Sequence, residues 1–124
     1  MISLIKKKGA RPRTNEPIFW AQWHRITTVT KTALAKIMSR GSTYSVGEVE
    51  GILTDFSQHI CDALLDGNAV YVQGLGTFNL KVSGKAKDNP ADVTTQDLSV
   101  SVTFEPDDDI TQRLNTEREF QFIK

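Results

Sequence analysis

Cysteine, net charge and long apolar runs are all scarce in this sequence. The lone Cys61 excludes an internal disulfide and fits a reducing compartment. No apolar run approaches the roughly 20 residues a membrane helix needs. The opening Met1-Ile2-Ser3-Leu4-Ile5-Lys6-Lys7-Lys8 puts its cations after its apolar residues, the reverse of a secretory leader. Fifteen Lys and Arg balance fifteen Asp and Glu, and a neutral chain argues, taken whole, against a nucleic-acid binder. Catalytic constellations are also missing. His59 and Cys61 are two apart on an expected helix, so they face different ways and cannot pair as base and nucleophile. His24 stands alone, and no Cys or His spacing suits zinc. Gly74-Leu75-Gly76 joins strand to strand and lacks the helix that a phosphate loop needs. The chain is therefore expected to be no enzyme and to use no cofactor, metal or small-molecule substrate.

What is present is unevenly placed. Residues 1–25 hold six cations, Lys6, Lys7, Lys8, Arg11, Arg13 and Arg25, against Glu16, a net of +5. The rest carries −5, with −2 over 26–66, −1 over 67–105 and −2 over 106–124. Exposed charges more than about 10 Å apart are mostly screened from one another at 0.1 M salt, so the basic terminus can act locally. The same composition also suits a solubilising, partly mobile terminus.

At 124 residues the chain is one domain with a short appendage. Ile2, Leu4 and Ile18-Phe19-Trp20-Ala21-Gln22-Trp23 read as two short strands, separated by the turn-rich Gly9–Pro17. Those aromatics could stack on bases, but so dense a cluster is expected to belong to a core or an interface. Thr30 is placed to cap a helix carrying Leu34, Ile37 and Met38, with Gly41 as its stop. Ser45-Val46-Gly47-Glu48 has the capping-box pattern ahead of a longer helix with Val49, Ile52, Leu53, Phe56, Ile60, Ala63 and Leu64 on its apolar stripe. Cys61 is expected there as a small core residue. The period then drops to two: Val70 and Val72, then Phe78, Leu80 and Val82, and later Leu98, Val100, Val102 and Phe104. Asp107-Asp108-Asp109 opens a short third helix with acids at its positive end. The tail Glu119–Lys124 is apolar enough to dock. The order is α+β.

Between the last two strands, residues 84–97 lose all apolar patterning. This predicts a long hairpin whose tip leaves the core. It carries Lys81, Lys85 and Lys87 ahead of Asn89-Pro90. Cations on such a ribbon can reach duplex phosphates, and a proline at its tip is a rigid wedge for a minor-groove base step. Asn-Pro is also an ordinary turn, and Asp88, Asp92 and Asp97 offset the lysines.

From about Thr30 to Leu114 the sequence resembles the HU/IHF family of bacterial histone-like DNA-binding proteins. The resemblance rests on Gly67-Asn68-Ala69-Val70-Tyr71-Val72-Gln73-Gly74-Leu75-Gly76-Thr77-Phe78, on the element order, on Asn89-Pro90 near the arm's intercalating proline, and on Phe104 with Pro106. It implies an IHF-like fold: a helix-turn-helix pair on a three-stranded antiparallel meander, a protruding β-arm and a short C-terminal helix. To this the chain adds amino-terminal strands, so residues 1–29 are expected as a β extension packed on a domain spanning 30–124. The implied function is dimeric, non-enzymatic, architectural binding of double-stranded DNA with little sequence preference. Bending would come from minor-groove contact by the arm, in a cytoplasmic, nucleoid-associated protein. Lys81, Lys85, Lys87, Lys6, Lys7, Lys8, Arg11 and Arg13 would meet phosphates, with Pro90, positioned by Asn89, as the wedge. Two features depart from the family: a nearly neutral, somewhat short arm, and Asp107–Asp109 where glycine and basic residues are usual. They favour an alternative, an HU-fold structural or protein-interaction module that has lost most DNA binding.

Overall fold

The structure, a computed structural model, describes residues 1–123; the tail's Lys124 lies outside the described residues. The fold is α+β, with three α-helices and two three-stranded sheets.

The first sheet has the order β2-β1-β6, from β1 (Ile2–Ala10), β2 (Pro17–Trp23) and β6 (Phe120–Phe122). β1 and β2 form an antiparallel hairpin from Leu4↔Trp23 to Ala10↔Pro17. Its tip is closed by the Arg11 N–H donating to the Glu16 carbonyl and by Asn15 in the left-handed region. The strand thus takes in Lys6–Lys8 and runs on through Gly9 and Ala10, the first two residues of the expected turn. Cross-strand pairing holds the lysines there, so most of the basic terminus is sheet, not a loose arm. Gly9 leaves room for the Trp20 indole, since a Cβ there would meet the ring carbon Cζ3 at 2.9 Å. The tail docks as β6, parallel to β1, with Ile2↔Phe120 and Leu4↔Phe122.

The helices begin where their caps dictate. Thr30 accepts from the Ala33 N–H at the start of α1 (Lys31–Arg40). Ser45 and Glu48 form the reciprocal capping box of α2 (Val46–Leu65). Gly67, at φ +85°, then turns the chain into the second sheet. That sheet is the antiparallel meander β3 (Val70–Val72), β4 (Gly76–Ser83) and β5 (Ser99–Pro106). Its register, Phe78↔Phe104, Leu80↔Val102 and Val82↔Val100, gathers the apolar side chains on one face. Phe78 and Phe104 stack with centroids 5.0 Å apart. Gly76, buried at φ +153°, sits so close to the Phe104 ring that a Cβ would meet it at 2.8 Å. Asp107 caps α3 (Asp108–Glu117).

The core of a single chain is small. Ala35, Val49 and Leu64 are the buried apolar residues, while Ile52, Phe56, Leu80, Val100, Val102 and Phe104 stay exposed. Cys61 is exposed as well, which corrects its expected place in the core. It faces a groove shared with Leu64 and Val102, and nothing in one chain covers that side of α2. Phe19 and Trp23 are likewise exposed, not core. The accessible surface is 10500 Å², against roughly 6600 Å² for a compact monomer of this mass.

Candidate nucleic-acid interface

Alternation along the β4–β5 ribbon separates two faces. Opposite the apolar face stand Thr77, Asn79, Lys81, Ser101 and Thr103, with Lys81 directly across from Ser101. Hydroxyls, an amide and an ammonium are suitable donors for phosphate oxygens. The one acid of these two strands, Glu105, lies at the base of the ribbon across from Thr77. The polar face of the ribbon is therefore hydroxyl-rich and close to neutral, not strongly basic.

The ribbon closes tightly where Gly84 approaches Leu98; a Cβ on Gly84 would meet the Leu98 Cδ2 at 2.7 Å. Residues 84–98 then extend past the last strand pair, Ser83↔Ser99. Within this connection a single 3-10 turn, Pro90–Asp92, is fixed by Asn89, whose side-chain oxygen accepts from the Ala91 N–H at 3.2 Å. The Asp92 N–H donates to the Asn89 carbonyl at 3.0 Å. Pro90 opens this turn near the middle of the connection and is exposed, as are Lys85 and Lys87. Asp88, Asp92 and Asp97 share the segment, yet among the described residues none forms an ion pair with a lysine; the one ion pair is Arg113–Glu117. The acids dilute the ribbon's field without tying up its ammonium groups.

The base of the ribbon is anchored by Asp107. Its carboxylate accepts from the Gly74 N–H at 2.8 Å, the Tyr71 hydroxyl at 3.0 Å and the Asp108 N–H at 2.9 Å. The Gly74 N–H, then the Tyr71 hydroxyl, hold this carboxyl below the usual carboxylate range; burial opposes them, and the Asp108 N–H adds a lesser lowering. The same hydrogen bond, ahead of burial and the negative charges of Asp107, Asp109 and Asp108, raises the Tyr71 phenol. Asp107 is thus a structural acid that ties the β3–β4 turn to α3.

The amino-terminal cations form a second group. Lys6 and Lys8 lie on one face of β1 and Lys7 on the other. Arg11 and Arg13 occupy the exposed tip of the β1–β2 hairpin. No hydrogen bond or strand pairing among the described residues joins this group to Lys81, Lys85, Lys87, Asn89 and Pro90. The residues singled out from the sequence therefore fall at two places. Sequence reasoning missed the β2-β1-β6 sheet as a surface, because its third strand comes from the far end of the chain. The alternation of Phe120 and Phe122 was the available signal. Among the described residues, no three His, Cys, Asp or Glu side chains come together to hold a metal ion. No described helix is long and apolar enough to cross a membrane.

The helical pair lies beside a three-stranded meander, and the comparisons set this α+β fold among HU-like structures. The family of HU domains "fused to wHTH, Ig, or Glycine-rich motif" (HU-HIG) matches residues 3–121, and the chain belongs to it. A candidate DNA-binding protein from Bacteroides vulgatus superposes with a TM-score of 0.73 at 13% identity, covering 98% of this chain. This chain spans about half of that protein, 48% of its length. Anabaena HU, crystallised with DNA, gives a TM-score of 0.57 at 16% identity over 70% of this chain and 98% of its own. No curated protein matches the sequence.

Proposed function

We propose that this chain is a non-enzymatic architectural DNA-binding protein that acts as a dimer and bends duplex DNA with little sequence preference. The observation that carries the reading is the β4–β5 ribbon, which takes Lys81, Lys85 and Lys87 out to an exposed Asn89–Pro90 turn on an HU-type fold. In this reading the arrangement is IHF-like and residues 84–98 are the arm. Ammonium groups on the ribbon neutralise phosphates and release counterions, so affinity falls steeply with salt. Pro90 enters a minor-groove base step, with its ring fixed by the Asn89 turn. Lys6, Lys7, Lys8, Arg11 and Arg13 add phosphate contacts from a β extension formed by residues 1–29, set against a domain of residues 30–124. With DNA as partner, the site of action is the cytoplasmic nucleoid.

The exposed area supports dimerisation. The excess is roughly 3900 Å² over a compact monomer, and Ile52 and Phe56 of α2 with Leu80, Val100, Val102 and Phe104 of the β4–β5 apolar face are among the exposed apolar side chains. Obligate dimers close about 2,000–5,000 Å² in total, and a twofold contact of this face with itself would do so.

A second reading, an HU-fold module that binds protein and has lost most DNA affinity, draws on the near-neutral polar face of the ribbon and on the acids opening α3. A mobility-shift titration on linear, nicked and bent duplexes separates the two. Binding at micromolar protein and low salt that fades as salt rises supports the architectural reading; its absence on all three duplexes supports the module.

A further inference from the structure

The β2-β1-β6 sheet has a face of which the architectural reading uses the lysines and not the rings. Alternation and register put Phe19 and Trp23 of β2, Lys6 and Lys8 of β1, and Phe120 and Phe122 of β6 on that one face. All four rings are solvent-exposed: Phe19 68%, Trp23 64%, Phe120 52% and Phe122 55%. The cations lie among them, with the Lys6 Nζ 5.1 Å from the Phe122 centroid and the Lys8 Nζ 5.9 Å from that of Phe19. None of the three strands contains an acidic residue.

We propose that this face binds single-stranded nucleic acid, bases stacking on the rings and phosphates meeting Lys6 and Lys8. Exposed rings interleaved with ammonium groups offer what a nucleotide needs, a π surface for the base and a cation for the phosphate. Phe122 and Trp23 both flank Leu4 on neighbouring strands, placing them roughly 10 Å apart, and Phe19 lies about 13 Å along β2 from Trp23. That area suits two or three splayed bases, the usual load of an aromatic sheet platform. A second copy of the same face is a poor occupant, since a twofold contact would set lysines against lysines. An anionic chain complements the face along its length.

The test is fluorescence anisotropy with a labelled oligo(dT) of about 15 nucleotides and, in parallel, a duplex of equal length. Trp23→Ala and Phe122→Ala should each weaken oligo(dT) binding by roughly 5- to 100-fold and leave duplex affinity within about twofold. Lys6→Gln combined with Lys8→Gln keeps every ring and should flatten the single-strand salt slope by about 1.4 units. Oligo(dT) should quench the Trp23 indole in a Trp20→Phe background and leave the Trp20 indole, which lies on the other face, unquenched in a Trp23→Phe background. The proposal is overturned if the intact protein binds no oligo(dT) at about 50 μM. It is equally overturned if the variants bind oligo(dT) as the parent does, or if Trp23→Ala changes the sedimentation mass, which would make the face a self-contact. The ring variants keep this outcome separate from the duplex reading, because they leave Lys6, Lys8 and the ribbon unchanged.

Discussion

The Tyr71 hydroxyl donates to the Asp107 carboxylate at 3.0 Å, joining the first strand of the meander to the start of α3. Asp107 also takes the Gly74 and Asp108 N–H groups, so one side chain caps a helix and pins the turn at the base of the ribbon.

This sets a pH dependence at both ends of the scale. The folded carboxyl lies below its ordinary value, so its contribution is complete above the unfolded pKa of about 3.9 and is lost as pH falls through the lowered value. The raised Tyr71 phenol works in the opposite sense: its contribution is present below about pH 10 and is lost as pH rises through the raised value. Tyr71→Phe should move the Asp107 titration upward and should weaken the alkaline loss of stability. Carbon-13 NMR titration of the Asp107 carboxyl and alkaline melts check both; an unmoved Asp107 would mean that the Gly74 and Asp108 N–H groups set it without the phenol.

Lys85 is exposed and free of ion pairs among the described residues. Lys85→Ala should weaken duplex binding alike on all sequences and reduce the salt slope by about one unit. A sequence-dependent loss in the salt titrations would instead make Lys85 a base reader.

Pro90 is the apolar residue at the exposed turn of the ribbon. Pro90→Ala should reduce the bend angle, measured by energy transfer between duplex ends, more than it reduces affinity. Equal bending by the two proteins would remove the wedge and leave the ribbon a phosphate clamp.

Val102 tests the dimer. It is 56% exposed in the single chain, where a surface change costs within about ±0.5 kcal/mol. In a closed dimer the same site is covered, so Val102→Lys should halve the sedimentation mass or lower Tm. It should also abolish the concentration dependence of Tm. A stable variant of unchanged mass would show that some other face closes.

Much of this fold was legible in the sequence because the deciding forces act locally. Thr30, the Ser45–Glu48 box and Gly67 mark helix ends through hydrogen bonds or dihedrals a few residues apart, and period two marks β4 and β5 through pleating alone. Asn89 likewise fixes Pro90 from one position away. What escaped depends on partners far along the chain. Lys6–Lys8 look like a loose basic run until Ala21, Trp20 and Phe19 pair with them. Phe120–Phe122 become a strand only because β1 offers an edge. Cys61 and Trp23 carry core-like chemistry, yet their exposure depends on which layer covers them, and that layer is not encoded in their own neighbourhood.

The pairing of β6 with β1 has a kinetic consequence. The Gln121 side chain donates to the Ser3 hydroxyl across a separation of 118 residues. Closing so long a loop costs entropy that only a folded intervening body can reduce. The strand at the end of the chain is therefore expected to be laid down last and to lift first. Hydrogen exchange at the Ile123 amide, bonded to the Leu4 carbonyl, should outpace exchange at Phe78 in the meander. When β6 lifts, the sheet loses its Phe120 and Phe122 rings together, and the helices and ribbon keep their fold.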